Sequence, residues 1–564
     1  MTAGASRGPA SASDLPCQPA AACTSHRRGS LDDPNIYIAK GSESYRLSII
    51  NWLHVASSYF PHAVVAVLML LLSQAAWTLQ TQGVTSADVS RTLSSAPDHV
   101  LEYWHLYSIA LVAFLLLRSW SQTAVYLVDF SVFQPPAEWA VSQEDCVEIL
   151  RKYGCYTEES LHFMERILER SGTGNATHWP PGTSGMKHDP EAKLDVSMEA
   201  ARAEAQAVIF GSLDDLFAKT GVNPKAIDFL IVNCSLFCPT PSLAAMVEQK
   251  YGLRRDVRSF NLGGMGCSAG LISVDLAQSL LASRPNSLAV VVSTETITPM
   301  MYQGNKRSML VQNTLFRVGG AAVLLSNKPK HAFSAKYKLL HTVRSQNASP
   351  EGYGAVLQCQ DEEGKTGVHL SKEITQVAGR GLKDNLTMLG PYVLPVREQV
   401  RVVSSMLWRK VAKWVHGAGP KWLAAMVPTP SDITPYVPDF KKGIHHFCVH
   451  AGGRAVIDGV EKNLSLTEAN LAASRNTLWH YGNTSSSSVW YELAYIEQEE
   501  ERFLDCKHPI ERPIAQGERV LQIAFGSGFK VNSAVWVRLA ANKPMQRSVQ
   551  RETSNANAAD KKNA

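Results

Sequence analysis

Cys267 lies in Asn261-Leu262-Gly263-Gly264-Met265-Gly266-Cys267-Ser268-Ala269-Gly270, and apolar residues at helical spacing follow at once: Leu271, Ile272, Val274, Leu276, Leu280 and Leu281. That pattern puts a thiol at a glycine-rich turn opening a helix. Unpaired N–H groups and the positive end of the helix dipole favour the thiolate there. The glycines clear side chains from around the sulfur, so a thioester can reach it and backbone N–H groups can face its carbonyl oxygen. In a second cluster, His445-His446-Phe447-Cys448-Val449-His450-Ala451-Gly452-Gly453-Arg454, a β-like run ends at His450 and the glycines turn the chain into Val456, Ile457 and Val460. In a third, Tyr481 to Trp490, Asn483 sits at a turn where its amide can face a cavity, ahead of a helix at 489–497. Together Cys267, His450 and Asn483 supply a nucleophile, a proton carrier and an amide donor, the parts that thioester condensation uses.

Competing chemistries find less support. His446 and His450 have the i, i+4 spacing of metal ligands, but the Phe-Cys-Val between them favours a strand, and the Glu of a zinc-protease motif is missing. No Gly-x-x-x-x-Gly-Lys-Ser/Thr loop occurs, and Gly526-Ser527-Gly528 alone is too weak for a nucleotide site. The net charge of +5 is modest and scattered, which argues against nucleic-acid binding. Ten cysteines, at 17, 23, 146, 155, 234, 238, 267, 359, 448 and 506, follow no framework, and buried free thiols in a reducing compartment explain them better than disulfides.

The elements that must position these groups read as α/β. Strand-like runs occur at Phe229–Val232, Leu288–Val292, Ala321–Leu325 and Val520–Phe525, with helical patterns at 198–220 and 268–283. Residues 172–190, rich in Gly, Pro, Ser, Thr and His, read as an inserted surface loop. Ahead of this body lie two apolar runs. The first, about 55–79, reaches the ~20 residues a spanning helix needs. The second, about 103–128, is interrupted by Arg118, so an amphipathic helix on the membrane surface is its alternative. Basic residues flank the pair while 80–102 holds only Arg91, so the positive-inside rule makes that stretch lumenal and leaves both ends cytosolic. The chain then divides into a disordered tail over 1–50, a membrane anchor over 51–130, a catalytic body over 131–541 and a disordered tail over 542–564.

At the three clusters the sequence resembles the plant- and alga-type 3-ketoacyl-CoA synthases, condensing enzymes of microsomal fatty-acid elongation. The likeness extends through Val125 to Phe130, Val232 to Phe237, Pro239 to Ser242, Ser293-Thr294-Glu295, Arg307 to Leu310, His446 to Asp458, Gly482 to Tyr495 and Ala524 to Lys530. The resemblance implies a thiolase-like five-layered α/β fold of two pseudo-twofold-related halves, about 195–330 and 331–541. It implies that Cys267 takes the acyl group of a long-chain acyl-CoA, while His450 and Asn483 donate to the malonyl-CoA thioester oxygen as CO₂ leaves. Gly266, Gly452, Gly453, Gly526 and Gly528 are the expected backbone loops around the oxyanion, and His446 is an auxiliary candidate. No metal or redox cofactor is implied. A homodimer, membrane lipid and the elongase reductases and dehydratase are the implied partners.

Two positions depart from that family. Its members commonly read Leu-His-Arg-Phe-Gly-Asn where this chain has Leu478-Trp479-His480-Tyr481-Gly482-Asn483, and Gln346 stands where a second His is frequent. The ending Lys561-Lys562-Asn563-Ala564 resembles a dilysine retrieval signal and agrees with an endoplasmic-reticulum membrane protein whose catalytic body is cytosolic. A polyketide-synthase-like condensing enzyme is the alternative, opposed by the two apolar runs. A catalytically silent elongase scaffold is the other, opposed by the presence of all three site residues.

Overall fold

The computed structural model describes residues 123–189, 191–434, 436–497 and 513–539, with isolated positions at 50, 52, 55, 69, 73 and 77. Runs of β-branched and small apolar residues form nine strands of one sheet: β1 (Tyr126–Val132), β2 (Phe229–Asn233), β3 (Arg258–Leu262), β4 (Leu288–Thr294), β5 (Gly320–Ser326), β6 (Tyr337–Gln346), β7 (His446–Val449), β8 (Arg519–Gly526) and β9 (Lys530–Arg538). Their hydrogen-bonded order is β7-β8-β9-β6-β1-β5-β4-β2-β3. Strands β2, β3 and β4 are mutually parallel, as are β7 and β8, and the remaining pairings are antiparallel.

That order contains a repeat that the amino-acid sequence does not show. In the first half β1 pairs with β5, β5 with β4 and β4 with β2; in the second, β6 pairs with β9, β9 with β8 and β8 with β7. Pairing types match at each step, and only β3 lacks a counterpart. The halves join where Tyr126 and Leu127 pair with Lys338 and Tyr337.

Among the described residues, helices of at least eight residues are α1 (Gln143–Lys152), α2 (Glu158–Ser171), α3 (Met198–Thr220), α4 (Leu243–Tyr251), α5 (Ala269–Ser283), α6 (Arg307–Leu315), α7 (Ile374–Val393), α8 (Val396–Ala418), α9 (Arg454–Leu464), α10 (Ala472–Tyr481) and α11 (Ser488–Glu497). Helices α3 and α4 cover the first half, α7 covers β6 and β9, and α5 and α11 each touch strands of both halves. Outer helices, sheet, central helices, sheet and outer helices therefore follow in five layers. The central layer is largely apolar, because α5 and α11 face strands on both sides: Val274, Leu281, Trp490 and Tyr491 are fully buried.

Two boundaries differ from the sequence reading. Tyr126, Leu127 and Val128, taken as the end of the second apolar run, are strand residues of β1, and Leu127 and Phe130 are core. The body thus begins before 131, and the first half includes a strand well before 195. A strand buried on both faces and a spanning helix are both continuous apolar runs, which explains the misplacement. Residues 172–190 are packed instead of looping over the surface. Thr177–His178 pair with Ala140–Val141, and Trp179 is buried with its indole N–H donating to the Phe316 carbonyl at 3.3 Å. Among the described residues no helix is long and apolar enough to cross a membrane. The expected spans and both tails otherwise lie outside the described residues. The seven described cysteines are free.

Trp536 of β9 ties the central layer to the second half. Fully buried, it meets the Trp490 ring edge-on at 6.3 Å and donates its indole N–H to Gln522 Oε1 at 2.8 Å. Trp536→Ala leaves both a cavity and an unpaired buried amide, and should cost about 3–5 kcal/mol. A large drop in the thermal unfolding midpoint of the purified protein is the expected result.

Candidate active site

Site residues collect where parallel strands end. Cys234 follows β2, the Cys267 turn follows β3, Glu295 follows β4, His450 follows β7 and Gly526 ends β8. Carboxyl ends of parallel strands are where open α/β sheets place their ligands.

Cys267 occupies a single 3-10 turn, Gly266–Ser268, that runs into α5. Gly266 has φ +64°, and a Cβ there would lie 2.6 Å from the Ser527 nitrogen, so only glycine lets this turn meet the β8–β9 hairpin. Its N–H donates to Ser235 Oγ at 2.9 Å. From the other side, the Ser485–Ser487 turn presses the Ser486 carbonyl against Gly270, packing the serine turn onto the Cys267 turn.

Asn483 and His450 join the same neighbourhood through Gly452. The Asn483 side-chain amide donates to the Gly452 carbonyl at 3.3 Å, leaving its second N–H for a ligand. A Cβ on Gly452 would stand 3.1 Å from His450 Nε2, so this glycine keeps that face of the imidazole open. Asn483 is held from both sides: its oxygen accepts from the Ser485 N–H at 2.9 Å, and its backbone pairs with Leu315 and Arg317. Beside it, Trp179, Met300, Met301 and Phe316, with the polar Gln312 and Asn313, line a small cavity, and Phe316 forms a β-bridge with Asn483.

The electrostatics leave both reacting groups neutral. Burial pushes the Cys267 thiol up to about 12, with the nearby Glu295 acting in the same direction and the Ser485 hydroxyl opposing. The thiolate expected at this helix start is thus outweighed by desolvation. Burial alone lowers His450 to about 4. His450 Nδ1 lies 2.7 Å from Ser488 Oγ, the first residue of α11.

The residues 117–411 match the model of the FAE1/Type III polyketide synthase-like proteins, and residues 441–539 match the C-terminal domain of chalcone and stilbene synthases. The sequence is 47% identical over 459 residues to 3-ketoacyl-CoA synthase 9 of Arabidopsis thaliana, an alignment covering 79% of this chain and 83% of that protein. It is 43% identical over 515 residues to 3-ketoacyl-CoA synthase 2 of the same plant, covering 88% and 91%. The chain belongs to the 3-ketoacyl-CoA synthase family. Among solved structures, the fungal type III polyketide synthase ORAS matches with a TM-score of 0.53 at 18% identity, covering 73% of this chain and 99% of that one. A type III pentaketide synthase from Neurospora crassa matches with a TM-score of 0.53 at 17% identity, over the same shares. These two carry the thiolase-like fold.

Within this 3-ketoacyl-CoA synthase frame, the structure links Cys267, His450, Asn483, Gly266, Gly452 and Gly526 in one contiguous set of contacts. Gly528 turns the adjacent hairpin at φ +100°, and Gly453 (φ +148°) starts α9 with only Leu315 near its Cβ position. His446 does not join them. It opens β7, four residues and ~13 Å of extended chain before His450, and bonds Glu518 at 2.9 Å. Trp479 lies 39% exposed over Gly174, and Gln346 is exposed at the end of β6. Sequence reasoning missed Ser485 and Ser488 as individual contributors and gave Glu295 no role. The serine run after Asn483 and the acid ending an apolar strand were their only signals.

His450 carries a pH signature. Its unfolded-state value of about 6.5 falls to about 4 in the folded protein. The unfolded chain therefore binds the extra proton first as pH drops. The resulting loss of stability begins near pH 6.5, is complete near pH 4, and amounts to about 3 kcal/mol. Thermal midpoints followed from pH 7 to 5 should fall further for the wild type than for His450→Gln.

Proposed function

We infer that this chain joins a long-chain acyl-CoA to malonyl-CoA, the first step of very-long-chain fatty acid elongation. The observation that carries this reading, in a chain of this family, is the Asn483 amide bonded to Gly452 beside His450, with the serine turn that follows Asn483 packed on the Cys267 turn. The Cys267 sulfur attacks the acyl-CoA thioester, a new thioester forms, and CoA leaves with a proton. Malonyl-CoA then binds with its thioester oxygen facing His450 Nε2–H and the free Asn483 N–H. As the carboxylate departs as CO₂, its bonding pair moves into an enolate whose oxygen those two donors stabilise. The enolate carbon attacks the acyl carbonyl, the bond to Cys267 breaks, and a 3-oxoacyl-CoA two carbons longer results. Electrons balance among thioesters and CO₂, so the sequence of steps calls on no metal or redox cofactor.

Ser488 has a particular part in this scheme. Because Cys267 and His450 are neutral at rest, acylation needs Nε2 free to take the thiol proton, whereas decarboxylation needs Nε2–H. A hydroxyl on Nδ1 can accept in the first case and donate in the second. A carboxylate there would favour only one of the two neutral tautomers. The same reading places the body on the cytosolic face of the endoplasmic reticulum, held by the apolar runs near 55–79 and 103–128. It also makes the working unit a homodimer that hands its product to elongase reductases and a dehydratase.

Microsomes from a host expressing the chain, given labelled malonyl-CoA and a panel of long acyl-CoAs without NADPH, should yield 3-oxoacyl-CoA from a single extension. Cys267→Ala should reduce this to background. Equal product from both would remove Cys267 as the nucleophile, repeated condensation would favour a polyketide-synthase-like activity, and no product from either would favour a scaffold. Ser488→Ala should lower kcat roughly 10–100-fold with little change in KM, the effect of losing one buried hydrogen bond in the reacting state. Ser488→Thr should restore most of it.

A further inference from the structure

Helix α8 presents an apolar face with nothing packed on it among the described residues. Val396, Val400, Val403, Leu407, Val411 and Trp414 are each between 45% and 74% exposed. At 3.6 residues per turn they fall within a stripe about 80° wide, and at 1.5 Å per residue it runs ~27 Å. Ala412 and Val415 are buried on the side facing the body. Isolated exposed hydrophobics need no explanation, but a continuous stripe of six does. Trp422 and Met426 carry the apolar surface past the end of the helix.

Charge distinguishes the occupants that might cover it. Between 396 and 426 the chain has six basic residues, Arg397, Arg401, Arg409, Lys410, Lys413 and Lys421, and one acid, Glu398. That acid is buried, engaged by Arg401 at 3.0 Å and Lys442 at 2.6 Å. Lys410 and Lys413 border the stripe on one side and Arg397 on the other, all exposed. A second copy docking by this same face would set those cations against their own equivalents. The apolar runs at 55–79 and 103–128 contain no Asp or Glu to neutralise them. An anionic lipid surface satisfies both features, since acyl chains take up the valines, leucine and tryptophans while headgroups meet the flanking lysines.

We propose that α8 lies in the plane of a membrane surface bearing anionic headgroups, as a lipid contact separate from the N-terminal apolar runs. Bound this way, it fixes how the catalytic body faces the bilayer, which a flexible tether alone does not do.

The full chain, with p-benzoylphenylalanine replacing Leu407 or, as control, the 94%-exposed Phe333, is reconstituted into vesicles of phosphatidylcholine with phosphatidylserine and irradiated. Lipid adducts are expected from position 407 and not from 333. Their yield should fall severalfold in phosphatidylcholine alone, and likewise in a Lys410→Glu/Lys413→Glu chain whose circular dichroism is unchanged. A crosslinked dimer through position 407 would overturn the proposal in favour of a subunit interface. An intramolecular crosslink would overturn it in favour of coverage by another segment of this chain, and absence of any adduct would overturn it outright. Adducts indifferent to phosphatidylserine would overturn the assignment of an anionic surface. None of these readouts depends on condensation, so the result stands whatever reaction the site performs.

Discussion

The Glu295 carboxyl group accepts four hydrogen bonds inside the protein. One oxygen takes the N–H groups of Ser235 at 2.8 Å and Leu236 at 2.7 Å and the Cys234 thiol at 3.4 Å, and the other takes the Ser485 hydroxyl at 3.0 Å. Three of those donors belong to the first half and the fourth to the second. Ser235 in turn receives the Gly266 N–H, and the Ser485 N–H reaches Asn483. One buried acid thereby fixes the distance between the Cys267 turn and the Asn483 loop. Burial raises its pKa while its donors oppose the rise. An acid so placed is tolerated only because nearly all its acceptor capacity is filled.

A second polar knot runs parallel to the first. Asn233 donates to Ser273 and Ser293, both at 2.9 Å, and accepts from Ser486 at 2.7 Å, so the end of β2 is tied to α5, to β4 and to the serine turn. Fully satisfied networks of this kind specify one arrangement of otherwise smooth apolar layers. The serines after Asn483 are therefore structural members with separate duties. Ser485 serves Glu295 and Asn483, Ser486 serves Asn233, and Ser488 serves His450.

The three clusters were legible because glycine turns and polar residues interrupt otherwise apolar runs, and the strands at 229–233, 288–294, 320–326 and 519–526 fell within two residues of their expected limits. What stayed hidden depends on contacts between distant segments. Nothing in the spacing of Glu295 and Ser485, 190 residues apart, announces that they touch. The thiol's environment was misread for a similar reason, since a helix start is a local feature while desolvation by the opposite half is not. Trp179 shows the limit of composition: a segment of turn-forming residues is pinned by one large aromatic that packs under the buried Arg317, 5.3 Å from its ring.

The repeat of pairing types explains how one site draws on both halves. Strand β2 corresponds to β7 and β4 to β8, so the residues that follow them, Cys234 and His450 in one pair, Glu295 and the Gly526-Ser527 turn in the other, occupy equivalent places around the pseudo-twofold. The first half uses its places to hold a carboxylate and an inert buried thiol that anchor loops. The second uses them for an imidazole and for a backbone turn close enough to touch Gly266. Only β3, the strand without a counterpart, delivers Cys267. The halves differ where the symmetry breaks: equivalent backbone places hold Cys234 and Glu295 in one half and His450 and the Gly526-Ser527 turn in the other, and β3 leads into the Cys267 turn.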